Sequence, residues 1–287
     1  MRNLIFLAAV CFSGSVCAQQ DPQYTMYWNN FSVYNPAATG TFSKHFAAIN
    51  GRLQWVGFSG APVTANFIYD RKLDAINGGV GVNYTHDQIG FITNNKVNIN
   101  YSYLFNFKND RILNVGISAG AFRIAIDGTH FIAIDPAEND PSIPKGGAET
   151  RFNSNFGAMY KSNHWLIGLS STQLTAPYFK KLNVERERHY YLACMYRANL
   201  TTDWEIKPGM LLKSDGAIRQ LDANLLFTYK KCIWLGLIYR PQDAVAFTGG
   251  VELKGRYRIG YAYDYITSAL SQFSKGSHEV VLAYIIK

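Results

Sequence analysis

Cysteine is scarce in this chain. Of four in 287 residues, Cys11 and Cys17 fall in the N-terminal leader, which leaves Cys194 and Cys232. Cys194 alternates in step with Tyr190, Leu192 and Tyr196, whereas Cys232 falls opposite Ile233, Leu235, Leu237 and Tyr239. If both apolar faces point the same way, the two thiols sit on opposite sides of a sheet, and no disulfide is expected. Long apolar runs are missing too. Past the extreme N-terminus nothing approaches the ~18 residues that a spanning helix needs. Charged residues make up only 17%, and the formal net charge of +8 is not gathered in one block. Its members include Lys108, Arg111, Lys230, Lys231, Lys254 and Arg256, at turns and on polar faces. In an exported chain these read as contacts with lipid headgroups or partner proteins, and nucleic acid is not expected.

Catalytic and metal signatures are equally thin. None of His45, His86, His130, His164, His189 and His278 pairs with another His or a Cys at metal-ligand spacing. There is no G-x-S-x-G elbow and no Walker loop. The glycines of "NGGVGVNY" lack a phosphate-loop pattern, so Gly79 and Gly81 read as clearing space on one side of a strand. Asp127, Asp135, Glu138 and Asp140 share one long loop without EF-hand spacing, and a solvated loop is the expectation. No cofactor, metal or catalytic residue is assigned.

What is present begins with "MRNLIFLAAVCFSGSVCAQQ". Arg2, an apolar stretch over residues 4–12 and the small residues before Gln19 make residues 1–18 a secretory signal peptide. Residues 19–43 follow without clean alternation, punctuated by Pro, Asn and Gly. Tyr24, Tyr27, Trp28, Phe31 and Tyr34 crowd this stretch, and aromatics so dense seek burial. The segment is expected either to plug the periplasmic mouth of a barrel or to dock a partner, through Asp21, Pro22, Tyr24, Tyr27, Trp28, Asn35 and Pro36.

Residues 44–287 read as strands and little else. In "KVNINYSYLFNFK", Val97, Ile99, Tyr101, Tyr103, Phe105 and Phe107 alternate with Asn98, Asn100, Ser102 and Asn106, with Leu104 out of place. Period two puts the two sets on opposite faces of a strand. About fourteen such windows follow one another, starting near residues 44, 62, 78, 93, 111, 152, 165, 189, 203, 219, 232, 244, 256 and 277. Most even-numbered windows end in tight turns and most odd-numbered ones in longer connections, as in outer-membrane barrels. The expectation is all-β: a transmembrane barrel of about 14 antiparallel strands with its apolar face toward lipid, Tyr and Phe near the strand ends, and both termini on the short-turn side. The competing architecture is a soluble β-sandwich. Pro208 and Gly209 interrupt one strand, where a bulge or kink is expected.

Several blocks carry a family resemblance. "QDPQ" at 20–23, "NPA" at 35–37 and "QWVGFSGAP" at 54–62 resemble the start of the PorP/SprF family of type IX secretion system membrane proteins of Bacteroidota. "RIGYAYDY" at 258–265 and "GSHEVVLAY" at 276–284 resemble its C-terminal pair, and the likeness spans the mature chain in order. The positions matching these motifs include Gln54, Trp55, Gly57, Phe58, Gly60, Pro62, Gly260, Tyr261, Asp264, Tyr265, His278 and Glu279. The resemblance implies an integral outer-membrane barrel without enzymatic activity. It implies a role in export or surface anchoring of secreted proteins or gliding adhesins, with the type IX machinery and the exported protein as partners. The alternatives are a transport barrel for small or hydrophobic solutes, and a hydrolase using Asp264, His278 and Glu279 should the last two strands pair.

Overall fold

The computed structural model describes residues 21–130 and 146–286; the leader and Asp135, Glu138 and Asp140 lie outside them. Strands β1 (His45–Leu53), β2 (Val63–Leu73), β3 (Gly78–Ile89), β4 (Ile92–Phe107), β5 (Arg111–Ile126), β6 (Gly147–Lys161) and β7 (Trp165–Thr172) follow in order. A small hairpin, β8 (Tyr178–Phe179) with β9 (Val184–Glu185), sits in the next connection. Then come β10 (His189–Tyr196) with its extension β11 (Ala198–Asn199), β12 (Trp204–Ser214), β13 (Arg219–Tyr229), β14 (Ile233–Arg240), β15 (Ala244–Leu253), β16 (Tyr257–Ile266) and β17 (Ser277–Ile286). Each barrel strand pairs antiparallel with its chain neighbours, and β1 pairs with β17 through Ala48↔Ala283, so fourteen strands close on themselves.

Closure decides which face meets what. Ile99 is 68% exposed and Phe107 57%, while Asn100 and Ser102 are at 1% and 0%. The same inversion holds on β13, where Asp222, Asn224 and Leu226 are buried in the lumen. A water-soluble fold hides its greasy face; this one presents that face around a polar interior. Only a closed barrel in lipid leaves no backbone group unpaired with such a surface. Aromatic pairs stand at the strand ends, with Trp204 against Tyr229 (4.8 Å) and Tyr257 against Tyr284 (5.3 Å), as an interfacial girdle requires. Leu104 departs from the alternation because it points into the lumen, at 3% exposure.

The connections sort mostly by end. Those at 74–77, 108–110, 162–164, 200–203, 230–232 and 254–256 are all short. At 230–231 both central residues have positive φ, and Cys232 N donates to Tyr229 O (2.9 Å), the turn that suits the strand twist. The opposite end carries the longer connections 54–62, 127–146, 173–188 and 267–276, together with short ones at 90–91, 215–218 and 241–243. Its hairpin β8–β9 packs inward, with Phe179 buried against Phe122 and Ile124.

Pro208 narrows one expectation, removing the bulge. The β10–β12 ladder runs to Met195↔Gly209, lapses opposite the proline, and resumes at Ala198↔Ile206 in the same register. A proline nitrogen has no hydrogen to donate, so a bond is lost, but no residue is inserted and there is no bulge. On its other side Pro208 stays in an unbroken ladder opposite Leu225. Cys194 and Cys232 are both free.

Candidate functional site in the barrel lumen

Residues 21–40 run through the lumen. The segment is expected on the short-turn side with both termini; instead its first described residue, Asp21, lies near the long-connection end, against Gln173, and the chain runs the length of the lumen to reach β1 from the short-turn end. It has little regular structure of its own: a 3₁₀ turn at Tyr27–Asn29, one α-helical turn at Phe31–Tyr34 and a second 3₁₀ turn at Pro36–Ala38. Its rings pack on one another and on the wall. Tyr24 meets Tyr34 edge-on at 6.0 Å, Tyr27 meets Phe31 at 5.7 Å, and Tyr34 leans on Tyr191 at 5.0 Å. The Tyr27 hydroxyl donates to Asn224 Oδ1 (2.5 Å). Burial pushes the Tyr27 and Tyr34 hydroxyls well above the ordinary tyrosine range, so both remain protonated donors.

At the long-connection end Asp21 accepts from Lys96 Nζ, from Gln173 Nε2 (2.7 Å) and from the Tyr191 hydroxyl (3.1 Å). Burial alone would raise its pKa, but Lys96, His189 and Arg186 together hold it well below the usual carboxylate range. Arg186, from the inward-folded connection, donates to Asn94 Oδ1 (2.6 Å).

Midway, a chain of alternating charges crosses the wall. Lys213 meets Asp222 (2.8 Å), Asp222 meets Arg240 (2.8 Å), Arg240 meets Asp264 (3.2 Å), Asp264 meets Arg52 (2.7 Å) and Arg52 meets Glu279 (3.3 Å). Charges this deep persist only when paired and fully hydrogen-bonded. The segment supplies missing partners. Glu279 accepts from Thr25 N (2.6 Å), Met26 N (3.0 Å) and Asn50 Nδ2 (3.0 Å). The Thr25 hydroxyl donates to Asp264 and accepts from Arg52 Nη1 (2.8 Å). In the orientation that satisfies its neighbours, the Gln23 side-chain oxygen accepts from Arg240 Nη2 (3.1 Å) and Gln220 Nε2 (2.9 Å).

Toward the short-turn end the segment lies on a bed of glycines. A Cβ on Gly116 would stand 2.3 Å from Ala37 N, and one on Gly157 would stand 2.0 Å from Asn35 Oδ1. Gly79 admits Thr39 in the same way, at 2.3 Å from its carbonyl oxygen. Asn35 caps the second 3₁₀ turn by accepting from Ala37 N (2.9 Å), and its amide donates to Ala158 O (3.1 Å) and Leu169 O (3.2 Å). Pro36 opens that turn, where its missing N–H costs nothing.

The motif positions do not form one site. Asp264 and Glu279 meet in the lumen with Thr25 and Arg52. His278 lies on the outer face, its Nδ1 2.6 Å from the Tyr261 hydroxyl, so the Asp264–His278–Glu279 hydrolase set is not assembled. Tyr261 and Tyr265 are outward and exposed, whereas a Cβ on Gly260 would meet Met26 Sδ at 3.2 Å. Gln54, Trp55, Gly57, Phe58, Gly60 and Pro62 form the β1–β2 connection at the rim. It joins the β16–β17 connection through Val56 N to Gly276 O (2.8 Å) and Lys275 N to Val56 O (2.7 Å). Sequence reading missed Arg52, Arg240, Thr25, Gly116 and Gly157; of the glycine bed it read only Gly79, with Gly81, as clearing space beside a strand. The signal available was arginine on the polar parity of a strand, a position where most barrel strands carry amides or hydroxyls.

A closed antiparallel barrel with an apolar outer belt and a polar, segment-filled lumen defines an outer-membrane β-barrel protein. Solved structures agree on that fold. The CymD monoaromatic hydrocarbon channel superposes with a TM-score of 0.53 at 10% identity, covering 89% of this chain and 91% of its own. The P. putida toluene transporter TodX gives 0.52 at 9% identity, covering 89% and 93%. Acinetobacter baumannii Omp33 gives 0.50 at 8%, covering 86% and 100%. No curated protein matches the sequence. A family model described as type IX secretion system membrane protein PorP/SprF matches residues 16–284. The chain belongs to that family.

Proposed function

We propose that this protein is a non-enzymatic outer-membrane component of the type IX secretion system that assists export or surface anchoring of secreted proteins, gliding adhesins among them. The observation that carries the reading is a lumen occupied by the chain's own residues, which favours a rigid platform over a conduit. Family membership supports the link to type IX secretion. In this reading residues 1–18 are a signal peptide, residues 19–43 a lumen plug and residues 44–287 the barrel, in a Bacteroidota outer membrane. The short turns face the periplasm and meet the machinery, and the longer connections, with Gln54 to Pro62 among them, meet the exported protein. A transport barrel, the other reading, needs a continuous path. The cavities among the described residues include one of about 520 Å³ at the short-turn end and two of about 30 Å³ each elsewhere.

Affinity capture of the tagged protein from outer membranes in mild detergent, followed by mass spectrometry, tests the proposal. Recovery of type IX components or of one large secreted protein is expected. Recovery of the barrel alone, together with solute uptake by vesicles that contain it, would overturn the reading.

A further inference from the structure

The large cavity has a chemistry that the lumen above it lacks. Its floor is the lumen segment, through Trp28 and Phe31, and its walls include Phe42, Leu226 and Trp234. Phe42 remains 47% exposed inside this space, and aromatic surface left open to water favours an occupant. Five cations and the carboxylates of Asp70, Glu205 and Glu252 line the cavity, and three of the cations are already matched. Glu205 pairs with Arg197 (3.1 Å) and Lys207 (2.5 Å), and Glu252 pairs with Arg258 (2.8 Å). Lys161 and Lys231 form no ion pair among the described residues. Lys161 donates to Thr41 O (3.1 Å) and stands 5.4 Å over the Phe42 ring, a free positive charge at the edge of an apolar floor.

Resting on the secretion reading above, we propose that this vestibule binds a short extended peptide of a periplasmic protein, one that carries a carboxylate next to an aromatic or aliphatic side chain. The apolar side chain fills the aromatic floor and the carboxylate answers Lys161 and Lys231. The vestibule is blind, because the lumen segment closes its inner side, so an occupant entering from the short-turn mouth is held rather than passed on. Short turns ring that mouth, and the sheet closes around it apart from the lapse in pairing of Tyr196 and Arg197 opposite Pro208 and Lys207, so its walls are preorganised.

The test uses the full-length protein purified in detergent and an N-acetylated pentapeptide ending in two phenylalanines, as free acid and as C-terminal amide. Binding is read by calorimetry and by the change in tryptophan emission, since Trp28, Trp165 and Trp234 line the cavity. The free acid is expected to bind about ten-fold tighter than the amide, and the Lys161→Gln/Lys231→Gln double variant to abolish that difference. Heat-modifiable migration on a gel confirms that the variant is folded; a single Lys231→Gln variant, on an exposed turn, serves if the double variant is not. Equal affinity for acid and amide, or a preference that survives the substitutions, overturns the proposal. So does binding of lauric acid without binding of either peptide, which would assign the vestibule to an amphiphile. Failure of peptide binding while type IX components are still captured would remove this inference alone and leave the secretion reading standing.

Discussion

Glu279→Gln perturbs the lumen at its most connected point. The carboxylate collects Thr25 N, Met26 N, Asn50 Nδ2 and Arg52 Nη1, two donors on each oxygen. An amide keeps one acceptor oxygen and turns an NH₂ group toward the other two donors. Removing one partner of a buried ion pair costs about 3–5 kcal/mol. Arg52 retains Asp264 at 2.7 Å and the Thr25 hydroxyl at 2.8 Å, which moves the cost to the lower end. A loss of about 3 kcal/mol is therefore expected. Reversible urea unfolding in micelles, followed by tryptophan emission, measures it. Limited proteolysis locates it, because cleavage within residues 21–40 should accelerate before cleavage of the strands. A change below about 1 kcal/mol, with the segment still protected, would mean that the charge chain does not hold the segment, and would refute the reasoning.

Gly116→Val should lift the Pro36–Ala38 turn, since a Cβ there stands 2.3 Å from backbone nitrogen that cannot move alone. Overpacking of this kind costs about 1–3 kcal/mol, read as faster proteolysis near residue 36. For Asp21 the sign follows from a carboxyl held below its ordinary value of 3.8. Its stabilisation is complete above that value and is lost as pH falls through the depressed one. The stability gap between wild type and Asp21→Asn should be full at pH 7 and shrink below a pH of about 4, and a gap independent of pH in micelle unfolding would contradict the assignment. Ile99→Lys puts a charge on the lipid face and should cost roughly 2–4 kcal/mol when refolding into liposomes is measured; an equivalent yield would mean that β4 does not face lipid.

The strands were legible because each one separates Tyr, Phe, Ile and Leu from Asn, Ser and Thr at period two. Every expected window corresponds to a barrel strand. The largest boundary error is at β6, which begins at Gly147 although the pattern starts only near 152. Those first residues include the ion pair between Glu149 and Arg151, and a rung beyond the lipid belt needs no apolar face. The lumen was far less legible. Lys213, Asp222, Arg240, Asp264, Arg52 and Glu279 come from six strands, and only the closed register brings them together. Parity alone would have separated His278 from Glu279, since adjacent residues of a strand point to opposite faces. The course of residues 21–40 follows no periodicity at all. It is set by where glycines open room and where buried charges lack partners.

The clasp around Thr25 lies on the seam of the barrel, and this bears on the order of assembly. Arg52 belongs to the first strand and Glu279 to the last, and they are direct cross-strand partners. Glu279 reaches Thr25 across 254 positions of chain, a contact whose loop-closure entropy delays it until the strands between have formed. Sealing β1 to β17 and locking the segment are therefore one event. A seam that shut one residue out of register would turn Glu279 toward lipid and strand Arg52 inside, and an empty interior would deprive Arg52, Asp264 and Glu279 of the Thr25 contacts. Residues near the start of the chain thus gauge whether its final strand has been set correctly.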